Sequence, residues 1–402
     1  MTAEPTPRAA GMDATRIEAA PRLFFLDWLR IAAFALLVPY HVGMLYVTWN
    51  FHVKSPLASP GLEPWMLLSS PWRMSLLFIV SGAATAFMLA RGAKAPWLRQ
   101  RTKRLLLPLL CGMLVVVPPQ SYFEVVQKYG YAGSYVDFLG LYFSRYHGFC
   151  SSGKCLDLPT WNHLWFLPYL WAYTVLLWAV VRANPRALGQ LGQGAEWVMR
   201  GAGLLALPVT AILLVRATLA PRFPSTHAFT GDWFNHAIYF GMFIAGAAFA
   251  HAPAIWERLM RARWPALLGA LVAWAMLVNG IAQPGWLRDA AVATQQWSAL
   301  VAAVGFARRH LNVDHRWRRR LTEAVFPVYV LHQTLIIVLS QALLPLHWLP
   351  RVEGPVLVAA TFALSYAGYE LVRRIRVLRP WFGLVPAAPA GTPLRTGTAA
   401  SP

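Results

Sequence analysis

The first apolar run of the chain, from Leu23 to about Val47, constrains the fold most. A helix needs about 20 mostly apolar residues to cross the hydrocarbon of a bilayer. The run is not a signal peptide, because it is too long and no small-residue cleavage site follows it. Similar runs recur along the chain. They predict ten spans, near residues 23–47, 71–90, 105–123, 161–181, 201–219, 233–250, 265–281, 289–307, 322–345 and 355–372.

The composition supports a membrane protein. Hydrophobic residues make up 57% of the chain and charged residues only 13%, whereas an average soluble protein has about 25% charged residues. We therefore predict an all-α polytopic membrane protein with about ten transmembrane helices. Residues 23–375 are expected to form one transmembrane domain, with residues 1–22 and 376–402 as disordered tails.

The basic residues predict the orientation of the chain in the membrane. Of the 36 lysines and arginines, 26 fall in segments on the side of the N-terminus and 7 in the opposite loops. Basic residues are enriched in cytoplasmic loops, so both termini are predicted to be cytoplasmic. Because these clusters lie beside anionic lipid, the net charge of +20 does not indicate nucleic acid as a partner.

The first span carries two ionisable residues that are candidates for function. Arg30 and His41 are eleven residues apart, so they share one helix face and are separated by about 16 Å along the axis. Ionisable side chains inside a span are costly and are usually functional. The alternative is that Arg30 reaches the cytoplasmic headgroups and that His41 is satisfied by a neighbouring helix. Asp27 is too far from His41 to orient it, and we expect a salt bridge with Arg30.

Further candidates lie on other spans. Arg101 and Arg104 stand at the cytoplasmic mouth of the third span, where they are suited to bind phosphates or a carboxylate; the alternative is a purely topological role. Polar and aromatic residues that indicate a pocket are Ser81, His163, Trp165, His332 and Gln333. Structural hydrogen bonds between helices and an interfacial aromatic belt are the alternative explanations. A weaker cluster, His227, Asp232 and His236, begins the sixth span.

Three cysteines add one structural expectation and exclude a zinc site. Cys150 and Cys155 lie in the predicted external loop 124–160, where an oxidising compartment permits a disulfide. Two free thiols are the alternative. No second pair of Cys or His stands at the spacing that a zinc site requires, so no metal is predicted.

Several motifs together resemble the membrane-bound acyltransferase-3 family. They are DWLR with Arg30-x10-His41, FIVSG in the second span, RQRTKRLLLP, HLWFL and the late LHQ. The resemblance covers residues 20–375, and the first span is similar to the branch that succinylates periplasmic glucans. It implies that His41 is the essential histidine and Arg30 its paired arginine. Arg101 and Arg104 match the basic residues at the entrance of the third helix.

The resemblance also implies a function. A bacterial inner-membrane O-acyltransferase would take a succinyl or acetyl group from cytoplasmic acyl-CoA, a co-substrate, with no tightly bound cofactor. The acceptor would be a hydroxyl of a periplasmic or lipid-linked glycan. A succinyl donor would require an additional cation, and Arg73 and Arg216 are the candidates. The alternative is a ten-helix transporter of a glycan or another anionic solute. That alternative predicts internal repeats, and Arg-x10-His has no counterpart in the later spans.

Overall fold

The computed structural model describes residues 23–92, 94–151 and 154–385, and most of these residues are helical. The first seven helices are α1 Phe24–Gly43, α2 Glu63–Ser69, α3 Arg73–Ala90, α4 Ala95–Cys111, α5 Pro118–Tyr129, α6 Tyr135–Phe143 and α7 Phe166–Ala183. The next eight are α8 Ala187–Val198, α9 Gly203–Leu219, α10 Trp233–Phe249, α11 Pro253–Arg261, α12 Arg263–Val278, α13 Trp286–His310, α14 Arg318–Leu343 and α15 Pro350–Arg374. The chain is therefore an all-helical membrane protein.

A small hairpin interrupts the helices. Strands β1 Cys150–Ser151 and β2 Lys154–Cys155 pair antiparallel, with Cys150 opposite Cys155. The two cysteines form a disulfide in the structure.

Within the described ranges, six segments are long and apolar enough to cross a membrane. They are Phe24–Gly43, Pro60–Ala90, Asn162–Ala183, Trp286–His310, Arg318–Leu346 and Pro350–Arg374. Three bent helix pairs raise the number to nine if each pair is one span: α4 with α5, α8 with α9, and α10 with α11. The seventh predicted span, 265–281, corresponds to α12, which has only 16 residues.

The structure differs from the sequence expectation in the basic segments. Residues 95–104, 187–198 and 253–261 were expected in loops, but they are helical. Residues 187–198 contain no lysine or arginine. Residues 95–104 and 253–261 combine apolar and basic side chains, and Pro96 and Pro253 stand at their first helical turns, where proline is well tolerated. Such sequences form amphipathic helices that rest at the membrane surface or extend a span into it.

Small and polar residues set the close packing of the bundle. A Cβ atom on Gly82 of α3 would lie 1.9 Å from the carbonyl oxygen of Phe243 on α10, and one on Gly246 would lie 2.0 Å from that of Ile79. Only glycine permits this approach. The polar residues Gln295, Gln296 and Ser298 of α13 are buried, and Gln296 donates to Ser75 over 2.8 Å.

The segment after α15 is part of the folded domain. Its 3-10 turn Pro380–Phe382 precedes Gly383, whose carbonyl oxygen accepts a hydrogen bond of 3.1 Å from Arg104 Nε. Leu384 is buried. Residues 380–385, which belong to the predicted tail 376–402, thus pack against the helices in the structure. The remainder of the two predicted tails, 1–22 and 386–402, lies outside the described residues.

Candidate active site

A cavity of about 650 Å³ lies at the end of α1 that carries His41. Its walls come from α1, α3, α5, α10 and α14 and from the loops that precede α2, α3, α7 and α10. The polar and aromatic residues that line it include Tyr40, His41, Asn50, His52, Arg73, Glu124, Lys128, Asn162, His163, Trp165, His227, Tyr329 and Gln333. All the contributing loops were predicted to be external.

The tautomer of His332 follows from its hydrogen bonds. His332 Nδ1 lies 2.6 Å from the carbonyl oxygen of Tyr329, which can only accept, so Nδ1 carries a proton. The side chain is almost fully buried, and a second proton would place an unpaired charge in the apolar interior. The other ring nitrogen, Nε2, is therefore an acceptor.

His41 is oriented by His332. His41 Nδ1 lies 2.9 Å from His332 Nε2, so it must donate its proton to that acceptor. The proton on Nδ1 leaves His41 Nε2 with its lone pair free. Within the described residues, Nε2 has no hydrogen-bond partner, and the ring lines the cavity and stacks on Phe51. The arrangement presents a basic nitrogen to whatever occupies the cavity.

A polar network holds His163 beside this pair. His163 Nε2 donates to the carbonyl oxygen of Val330 over 3.1 Å, and Tyr329 donates to the carbonyl oxygen of His163 over 2.7 Å. The rings of His163 and His332 pack edge to face with centroids 5.0 Å apart. Gln120 accepts hydrogen bonds from Gln333 and from Asn162. These contacts fix the floor of the cavity.

Arg73 brings a positive charge to the same cavity. Its guanidinium carbon lies 3.2 Å from the ring centre of Tyr40, and that ring lies 5.8 Å from the ring of His41. Nη1 donates to the carbonyl oxygen of Ser70, whereas Nε is buried without a hydrogen-bond partner. Within the part of the chain that the structure describes, no carboxylate forms an ion pair with Arg73. Nε and Nη2, the two donors of one guanidinium edge, thus have no partner within the described residues.

The predicted arginine group lies towards the other end of α1. Arg101 and Arg104 line a second cavity of about 670 Å³, with Trp97 of α4 and Pro380 and Val385 of the C-terminal segment. Arg30 lies within electrostatic range of Arg104 and Asp27. In the described residues, neither Arg30 nor Arg101 has a hydrogen bond or an ion pair. Guanidinium groups gathered in this way, two of them without a direct ion pair among the described residues, favour an anionic ligand.

The structure brings most of the candidates into these two places. His41, His163, Trp165 and Gln333 line the first cavity, and His332 supports it from behind. Ser81 lines neither cavity; its carbonyl oxygen accepts a hydrogen bond from Thr85. Asp27 pairs with Arg318 of α14, where the sequence suggested Arg30 as its partner.

The histidines of the cluster at the start of the sixth predicted span, His227 and His236, lie in different places. His227 lines the cavity, and its ring lies 4.1 Å from that of Trp165. Burial lowers the pKa of His227 to about 4, with Arg73 lowering it further and Asp232 opposing the shift. His236 instead bonds Tyr173 outside the cavity. Arg216, the other candidate cation, pairs with Asp289 over 3.0 Å.

Several residues of the site were missed by sequence reasoning. Gln120 and Tyr329 make central hydrogen bonds, and His52 with Glu124 forms a pair of 2.5 Å at the cavity wall. Gln120 and Glu124 are polar residues one helical turn apart in an apolar segment, and this spacing was an available signal. Among the described residues, no group of three His, Cys, Asp or Glu side chains is placed to hold a metal ion.

Comparison with known proteins gives the family. The profile of the acyltransferase-3 family, described as an acyltransferase domain, matches residues 23–370. The chain belongs to this family. This acyltransferase is therefore a multi-pass membrane protein and a transferase that acts on acyl groups.

Curated relatives of this acyltransferase carry the name glucans biosynthesis protein C. The protein from Escherichia coli strain SMS-3-5 / SECEC is 25% identical over 381 residues, which cover 90% of this chain and 94% of the relative. The protein from Escherichia coli strain K12 / DH10B is 24% identical over 377 residues, with the same coverage. No solved structure matches the chain.

Proposed function

We propose that this protein is an inner-membrane O-acyltransferase that moves an acyl group from cytoplasmic acyl-CoA to a glycan hydroxyl on the external side. His41 is the general base. The observation that carries the proposal is the free Nε2 of His41. Hydrogen bonds from His41 to His332, and from His332 to the Tyr329 carbonyl, keep the proton on Nδ1 and leave the Nε2 lone pair available. An imidazole nitrogen with a free lone pair can accept the proton of an alcohol.

The reaction needs only groups that the two substrates and His41 supply. His41 Nε2 takes the proton of the acceptor hydroxyl. At the same time the hydroxyl oxygen attacks the thioester carbonyl and forms the new C–O bond. The C–S bond then breaks, and the proton on Nε2 passes to the departing thiolate. The products are an ester and CoA with a free thiol, so no net proton is released.

The donor is proposed to bind from the cytoplasmic side. CoA carries several phosphate charges, and Arg30, Arg101 and Arg104 provide guanidinium groups, of which Arg30 and Arg101 form no hydrogen bond or ion pair among the described residues. Arg30 and His41 are separated by about 16 Å along α1, a distance comparable with the extended pantetheine arm. The nucleotide can therefore remain at the arginines while the thioester reaches His41, and CoA need not cross the membrane.

The acyl group is proposed to be succinyl rather than acetyl. The free guanidinium edge of Arg73 offers two parallel donors, which match the two oxygens of a carboxylate. An acetyl group would leave this cation without an anion. Arg73→Gln is expected to lower transfer from succinyl-CoA by about 10- to 100-fold and to affect acetyl-CoA little. Arg216→Gln is the matched control, because Arg216 pairs with Asp289 outside the cavity.

The acceptor is proposed to be a periplasmic or lipid-linked glycan. The curated relatives are named for glucan biosynthesis. The external cavity offers hydroxyl-binding side chains, including Asn50, Asn162 and Glu124, beside the indole of Trp165. Such a mixture of polar groups and aromatic rings suits a sugar, whose edges are polar and whose faces are apolar.

The proposed orientation places both termini in the cytoplasm, with ten spans if α12 is one of them. Single cysteines at positions 100 and 135 would test it, in a background without Cys111, Cys150 and Cys155. An impermeant maleimide added to intact spheroplasts is expected to label position 135 and not position 100. The opposite pattern would invert the orientation and contradict the donor side proposed here.

The function itself is tested with purified protein and radiolabelled succinyl-CoA or acetyl-CoA. We expect acyl-CoA to be consumed and, when envelope glycan is present, its acyl group to appear on the glycan. If the protein moved glycan across vesicle membranes without consuming any acyl-CoA, the transporter alternative would replace this proposal.

A further inference from the structure

The two cavities are not joined in this structure. Residues 30, 34, 37 and 41 of α1 recur at helical spacing, so Phe34 and Leu37 lie on the face that runs from Arg30 to His41. Leu37 lines the external cavity, whereas Phe34 lines neither cavity. The straight route between the arginines and the basic nitrogen is therefore closed at the level of Phe34.

Three aromatic rings close the route, and we call Phe34, Phe166 and Tyr329 the aromatic seal. Each ring packs edge to face on the other two, with centroid distances of 5.2 Å for Phe34 and Tyr329 and 6.2 Å for the other two pairs. All three side chains are buried. Phe78 supports the seal from the side of α3, with its ring 4.8 Å from Phe166.

We infer that the acyl-bearing arm of the donor passes through the space that the Phe34 ring fills, and that Phe34 admits it. This inference rests on the proposed function, since it assumes a donor held at the arginines and a thioester delivered to His41. The pantetheine arm is uncharged, so an aromatic passage suits it better than it suits the phosphates that follow. A permanently open route would connect the water on the two sides of the membrane. A Phe34 ring that moves only when the pantetheine arm enters prevents this connection.

In this inference the movement is assigned to Phe34, the member of the seal with the fewest tethers. Tyr329 is held by its hydrogen bond to the His163 carbonyl, and its own carbonyl binds His332. Phe166 packs between Phe78 and the other two rings. Phe34 has no comparable tether and is the most exposed of the three, at 6% against 2% for each of the others. Phe34 takes no part in the hydrogen bonds that orient His41, so a change of its rotamer would leave them in place.

The test is photo-crosslinking with p-benzoylphenylalanine at position 34. The probes are the acetyl and succinyl thioesters of CoA, radiolabelled in the pantetheine arm. We expect label at position 34 that excess unlabelled CoA removes. The matched control carries the same photoreactive residue at Phe25, which is buried on the same helix but packs on Trp256, away from the seal; no label is expected there.

A second variant covers the case in which the photoreactive side chain prevents folding. Phe34→Trp enlarges the ring, and we expect kcat for transfer to fall at least tenfold while donor Kd changes less than twofold. Phe25→Trp is expected to change neither. Donor binding and turnover without label at position 34, or native kcat in Phe34→Trp, would overturn this inference alone. A native protein that neither binds nor consumes acyl-CoA would refute the proposed function as well.

Discussion

Two replacements of His332, by Leu and by Gln, test whether this residue orients His41 or only stabilises the fold. His332 accepts the proton of His41 Nδ1 and donates to the Tyr329 carbonyl. In His332→Leu, Nδ1–H of His41 loses its acceptor, and nothing holds the tautomer that leaves Nε2 basic. An unsatisfied buried donor costs about 1–3 kcal/mol, and each 1.36 kcal/mol is tenfold in rate. We therefore expect kcat to fall by about 10- to 100-fold.

His332→Gln provides the conservative replacement. Its amide nitrogen can donate to the Tyr329 carbonyl and its amide oxygen can accept from His41, which reproduces the polarity of neutral His332. We expect this variant to retain kcat within a few-fold of the native protein. Because His332 touches neither substrate in this account, donor KM should be unchanged in both variants, and the pH dependence of kcat should shift only in His332→Leu.

The assay is initial-rate transfer from labelled succinyl-CoA with purified protein, together with the thermal unfolding temperature. His236→Leu is the matched control, since His236 makes two hydrogen bonds outside the cavity, to Tyr173 and to the Phe229 carbonyl. It should lower stability without lowering kcat in the folded fraction. The reasoning is refuted if His332→Leu transfers at the native rate, or if His332→Gln loses as much activity as His332→Leu.

Two further predictions concern the donor arginines and His227. Alanine at Arg30, Arg101 or Arg104 should raise the KM for acyl-CoA, because each removes a cation from the donor site, and unchanged donor KM in all three variants would leave these residues with a topological role only. The pKa of His227 is lowered to about 4 by burial, below the value of about 6.5 expected in the unfolded chain. The unfolded chain therefore binds more protons between those values, and stability should fall as pH drops from 6.5 towards 4. His227→Gln should reduce this loss in thermal unfolding from pH 4 to 8, and an unchanged slope would contradict the assignment.

The class of fold could be predicted from the sequence. So could the placement of Arg30 and His41 towards opposite ends of α1. The apolar runs predict the membrane helices because the bilayer demands length and apolarity, which are local properties. The spacing of Arg30 and His41 likewise fixes their common face, since helical geometry is local. The buried position of Gln295 and Gln296 on α13 agrees with the cost of exposing amides to lipid.

The contacts between distant segments required the structure. His332 is 291 residues from His41, and no periodicity indicates which polar residues of separate helices meet. Arg73 and Arg216 looked equivalent in the sequence, and only the packing shows that one reaches the cavity while the other pairs with Asp289. The helical character of residues 95–104 was missed because basic residues were assigned to loops, although amphipathic helices carry them equally well.

Transfer by a His41 variant tests whether His41 is the general base. Purified His41→Ala and native protein are to be compared for acyl transfer from labelled succinyl-CoA to glycan, with donor Kd and unfolding temperature measured on the same samples. Loss of a general base is expected to lower kcat by about 10²- to 10⁴-fold, with donor Kd and folding close to native. Near-native transfer by His41→Ala would contradict the account.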